Sequence, residues 1–158
     1  MTDSNPFWTF SLALYGRPGV ADACLALQDE QGMDVNLLLY ACYATVCGQA
    51  LSEADLRAVD AAVREWRAEM VAPLRALRRR SEGDLKQRLS EAELLAEKSQ
   101  QDMMWSSRSP GGDWPSPTAC DDLLEKNLVM IAAVAGVDQA RLASLRARVS
   151  DALLDPGL

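Results

Sequence analysis

Gln28, Asp29, Glu30, Asp34 and Asn36 fall within nine residues around Gly32. Carboxylate and amide oxygens of this kind are what Mg²⁺ and Ca²⁺ prefer as ligands. Glu93 and Glu97, four residues apart, share one helix face and could complete such a set. One reading is therefore an ion or small-molecule site drawing on Asp29, Glu30, Asp34, Glu93 and Glu97. The spacing matches no EF-hand loop, and a short acidic pattern is a weak motif. Structural roles suit the same residues: Asp34 stands where it can cap a helix, Asn36 can support the turn, and Gln28 or Asp29 can bond backbone. The structural reading is the favoured one.

A second constellation is basic. Arg75, Arg78, Arg79 and Arg80 follow Pro73-Leu74, and the spacing of the first three places them on one helix face. Guanidinium forks suit carboxylate and phosphate, so this face could hold an acidic partner helix, a phosphorylated ligand or RNA. Glu91, Glu93 and Glu97 offer the alternative. An antiparallel helical hairpin turning at Ser81-Glu82-Gly83 brings Arg75 or Arg78 opposite residues near 88–93, and the charges then pair internally. Both alternatives stand on sequence. Trp105 and Trp114 flank a loop rich in glycine and proline at about 106–117, next to Met103-Met104. Such a group forms either an adaptable partner-binding patch or the core at a loop base.

The chain has no histidine. That removes Ser-His and Cys-His nucleophile pairs, the usual general base near neutral pH, and every histidine metal site. Ser106, Ser107 and Ser109 thus lack an activating base. The cysteines at 24, 42, 47 and 120 form no CxxC pair and sit in apolar runs, as small buried hydrophobes do. The reading leans away from an enzyme, and no cofactor is implied.

Net charge is −7, unevenly spread: −6 over residues 1–56, +4 over 57–88 and −5 over 89–158. A basic island in an acidic protein predicts a protein partner rather than nucleic acid, because phosphate neutralisation supplies most nucleic-acid affinity. The N-terminus MTDSNPFW shows no basic n-region, which makes the cytoplasm the expected location.

These residues need helices to position them. Asn5-Pro6 opens a short aromatic helix that closes at Gly16, and Pro18 opens a second ending at Gln31-Gly32. The segment at about 35–49 is apolar on nearly every side, which predicts a buried central helix, and at about fifteen residues it is too short to span a bilayer. Ser52 with Asp55 is a capping-box variant opening a long helix, and Pro73 inside that pattern predicts a kink or new start near Val71. Asp84 is placed to cap a helix reaching Trp105. Thr118 and Asp138 are placed to cap the last two, which end at Gly136 and Asp155. No stretch shows sustained two-residue alternation. The expectation is an all-α, single-domain bundle of about seven helices over residues 1–158.

Three segments carry a resemblance: Phe7-Trp8 with Leu14-Tyr15; the run Gln28 to Leu39; and Trp66 followed by Pro73-Leu74-Arg75-Ala76-Leu77-Arg78-Arg79. With Ala92-Glu93 and Ala96-Glu97, they resemble the DUF2390 family of uncharacterised proteobacterial proteins. The resemblance spans roughly residues 5 to 105. It implies a bacterial cytoplasmic protein and carries no activity onto any residue. The functional expectation therefore rests on the residues themselves: a non-catalytic helical interaction or regulatory protein holding an acidic partner on its basic helix, with the hinge carboxylates as the alternative.

Overall fold

A computed structural model describes residues 5–107, 121–155 and 158. Every regular element among them is helical: α1 (Pro6–Tyr15), α2 (Val20–Gln31), α3 (Val35–Val46), α4 (Glu53–Trp66), a π segment (Arg67–Val71), α5 (Ala72–Arg79), α6 (Gly83–Ser106), α7 (Asp121–Ala135) and, after a 3₁₀ turn at Gln139–Leu142, α8 (Ala143–Leu153). Because α4, the π segment and α5 run on without a break, these amount to seven helical rods. None of the helices among the described residues is long and apolar enough to cross a membrane. The contacts of the chain fall into two compact units, Met1–Arg57 with Ser109–Leu158, and Ala58–Arg108.

In the first unit the local signals are realised atom by atom. Asn5 Oδ1 accepts the Phe7 amide at 3.0 Å, with Pro6 in the first turn. Gly32, at φ 66°, ends α2 in the left-handed conformation that a side chain disfavours, and Asp34 Oδ1 then accepts the Asn36 amide at 2.9 Å to start α3. Ser52 and Asp55 exchange reciprocal bonds of 3.0 Å at the start of α4. Asp138 caps the 3₁₀ turn that precedes α8.

α3 is the centre of this unit and packs on α7, α1 and α2, while α2 also meets α8. Leu38, Tyr40, Ala41, Cys42 and Ala44 are buried along it. Phe7 packs edge-on against Tyr40 and stacks on Tyr43, both at 5.6 Å between ring centres. One polar staple crosses this core. Buried Asn127 of α7 accepts the Leu51 amide at 2.9 Å and donates to Thr45 Oγ1 at 3.0 Å and to the Gln49 carbonyl at 2.9 Å. It thereby satisfies the backbone of the irregular stretch that follows α3.

In the second unit, α5 and α6 form an antiparallel hairpin. Pro73 has no amide to give, and the helix before it widens: the Ala72 amide reaches back five residues to the Arg67 carbonyl. The sequence-predicted discontinuity near Val71 is thus a π segment. The cap expected of Asp84 is not made. α6 starts two residues earlier, after Glu82, with no side-chain cap bond, and Asp84 lies inside its first turn.

Candidate functional site

The hairpin of the second unit is held by charge. Arg75 Nε donates to Glu93 Oε1 at 3.0 Å and its Nη2 to Glu97 Oε1 at 3.2 Å, while Arg78 Nε donates to the other oxygen of Glu93. Glu93 is buried, with 9% of its side chain exposed, so its carboxylate is saturated by two guanidinium groups. The bond to Glu93 holds the Arg78 guanidinium above its ordinary pKa, against the opposing effect of partial burial. Trp66 Nε1 adds a bond of 2.9 Å to the Ala96 carbonyl. Of the two alternatives for the basic helix, internal pairing is what Arg75 and Arg78 adopt, because the hairpin register brings an i, i+4 glutamate pair directly across from them. A surface that includes those two as free partner-binding groups is corrected accordingly.

A second ionic cluster, not singled out from sequence, sits on α4. Asp60 accepts from Arg67 at 2.7 Å and from Arg64 at 3.0 Å. Partial burial pushes its carboxyl up, but the hydrogen bonds from Arg67 and Arg64, with their charges, outweigh this and leave it below the ordinary aspartate range. The spacing Asp60-Arg64 on one helix face was its signal.

Beyond these pairs much of the hairpin is exposed, with Arg88 paired to Glu91 at 3.3 Å. α5 has no buried residue. Arg79 and Arg80 are exposed on its last turn, and Lys86 and Arg88 are exposed on α6. Leu77, Leu85, Leu94 and Leu95 are 49%, 61%, 48% and 66% exposed. Trp105 is half-buried beside buried Met104. Trp114, the other aromatic expected there, lies outside the described residues.

The hinge residues take the structural roles. Asp34 is a cap, Asn36 is buried at the start of α3, and Asp29 and Glu30 are exposed on α2. Among the described residues no group of three carboxylates or thiols is placed so as to hold a metal ion. Glu93 and Glu97 already serve Arg75 and Arg78. Glu30 instead lines, with Asp22, a cleft of about 540 Å³ between α2 and α8 that Arg141 and Arg148 also border.

Cys24 and Cys42 are buried free thiols. Burial pushes Cys24 up to about 12 and Cys42 higher still. Neither is poised as a nucleophile.

In comparison with known proteins, a family model described as "Protein of unknown function (DUF2390)" matches residues 6–104, which run from α1 into the last turns of α6. No curated protein matches, and no solved structure matches.

Proposed function

The chain belongs to the DUF2390 family, and from that premise we propose that it is a non-catalytic helical interaction protein of the bacterial cytoplasm, which holds an acidic protein partner on the outer part of the α5–α6 hairpin. The observation that carries this reading is the exposure of Leu77, Leu85, Leu94 and Leu95 on a hairpin that also exposes the cationic Arg79 and Lys86. Exposed apolar side chains on an element that also carries charge are the makings of an interaction surface. A partner of opposite charge gains attraction and orientation from those cations, while burial of the leucines supplies the affinity. The rigid Arg75–Glu93–Arg78 lock supports the reading by presenting the hairpin in one conformation, which lowers the ordering cost of binding.

The test is affinity capture from a lysate, comparing the wild-type chain with an Arg79→Glu/Lys86→Glu variant. The expected result is an acidic protein held by the wild type, released by about 0.5 M salt as screening shortens the reach of the charges, and missing from the variant. Recovery of the same proteins by both chains overturns the proposal.

A second reading, small-molecule binding on the hinge side, is favoured by one observation: Glu30 and Asp22 share the α2–α8 cleft with Arg141 and Arg148. It requires a ligand that co-purifies with the wild type and is lost on Glu30→Gln/Arg148→Gln substitution.

A further inference from the structure

The rod formed by α4, the π segment and α5 carries a line of exposed residues, Glu65, Glu69, Pro73, Leu77 and Arg80, at spacings of four, four, four and three. In a continuous α-helix, positions four apart drift round the axis. Here the wider turn of the π segment offsets the drift across its own length, so the line stays on one outer face. The Arg75–Glu93 lock marks the opposite, inward face. Ala68, Ala72 and Ala76 are exposed beside the line and are small enough to let another helix approach closely.

Along this face the charges are sorted. Its N-terminal half carries Glu65 and Glu69 and its C-terminal end Arg80, and none of the three side chains has an ion pair or hydrogen bond among the described residues. Asp60, Arg75, Arg78 and Glu93 of the same unit, by contrast, are paired within it. A face that runs from acid to base through apolar residues is complementary to itself when turned end for end.

We propose that this face binds a second copy of the chain, as an antiparallel, two-fold symmetric helix pair centred between Ala72 and Pro73. That register sets Glu65 opposite Arg80, Ala68 opposite Leu77, and Glu69 opposite Ala76, one turn from Arg80. Each of these contacts occurs twice, as a two-fold interface requires. The antiparallel sense also sets the helix dipoles head to tail. Exposed ion pairs contribute little strength individually. Their role here is to fix register, while the Leu77 side chains, seated over the alanines, supply the burial. The inference goes beyond the hairpin reading above: the two share Leu77, but this one turns on Glu65, Glu69 and Arg80 and that one on Arg79 and Lys86. A monomeric result leaves that reading intact, and loss of the acidic partner leaves this one intact.

The test is sedimentation equilibrium of the full chain. The wild type is expected to move from the monomer mass of 17.2 kDa toward twice that value as concentration rises, and back toward 17.2 kDa when salt is added. Arg80→Glu, which makes the face wholly acidic, and Glu65→Arg/Glu69→Arg, which makes it wholly basic, are each expected to remain at 17.2 kDa. An equimolar mixture of the two variants is expected to regain the doubled mass, since both ends of the pair are then matched. Recovery in the mixture also shows that both variants fold. The proposal is overturned by a wild type that stays monomeric at about 1 mM, a concentration at which a pair held by about 4 kcal/mol is substantially formed. A dimer indifferent to both reversals, or a mixture that stays monomeric, overturns it as well.

Discussion

Glu93 accepts from two arginines with only 9% of its side chain exposed, whereas Glu97, which accepts from Arg75, is 29% exposed. Replacing Glu93 by Gln leaves two guanidinium groups with a neutral partner in a half-dry setting, a loss of about 1–3 kcal/mol, while Glu97→Gln is expected to lose less than about 1 kcal/mol. Urea midpoints measure both, and equal losses would contradict the geometry. Asp60 adds a pH signature. Its carboxyl is held below the ordinary range in the folded chain, so its contribution is complete above the unfolded value of about 4 and disappears as pH falls through the lower folded value. The stability gap between the wild type and Asp60→Asn is therefore expected to be widest near neutrality and to close below about pH 4. A gap constant down to acid would show that the two arginines do not act on this carboxylate.

At the scale of elements, two glycines separate conformation from crowding. Gly32 and Gly19 have φ of 66° and 76°, but a Cβ at Gly32 meets nothing within 4 Å, whereas one at Gly19 falls 2.6 Å from Arg148 Nε. Gly32→Ala is expected to cost about 1 kcal/mol for the left-handed backbone alone. Gly19→Ala should cost more, and the excess should vanish in an Arg148→Ala background, since only the side-chain clash depends on that partner. A double-mutant cycle by thermal unfolding reads the coupling, and additive effects would refute it.

The same elements show what the sequence could disclose. Asn5, Gly32, Asp34 and Ser52-Asp55 act over two or three residues, and each local signal marks a helix end where it stands. The Pro73 discontinuity was likewise legible, but its form was not, since a π turn depends on how the whole rod seats its inward face. Asn127 could not be read as a staple because its partners, Thr45, Gln49 and Leu51, lie more than seventy residues away. The exposure of Leu94 and Leu95 was not legible either, because periodicity registers an apolar face and not whether anything covers it. The Arg75–Glu93 pairing was available as one of two options, and only the hairpin register chose between them.

For the molecule as a whole, the division into two units predicts unequal stability. α3 in the first unit is buried along most of its length and α7 packs over it, while α5 and the first turns of α6 contain no fully buried residue. Amides opening without exposure of much apolar surface exchange at low free energy, so residues 72–92 should lose hydrogen-exchange protection well before residues 35–46. The cysteines give an independent clock for the first unit, because Cys24 and Cys42 are both buried there and residues 58–108 contain no cysteine. With the Cys24 thiol pushed up to about 12, modification in the native state has to wait for that unit to open. Labelling of Cys24 and Cys42 should therefore keep pace with exchange in 35–46 and lag far behind exchange in 72–92. Exchange of both segments at one common rate, matched to the labelling, would instead make the chain a single cooperative body.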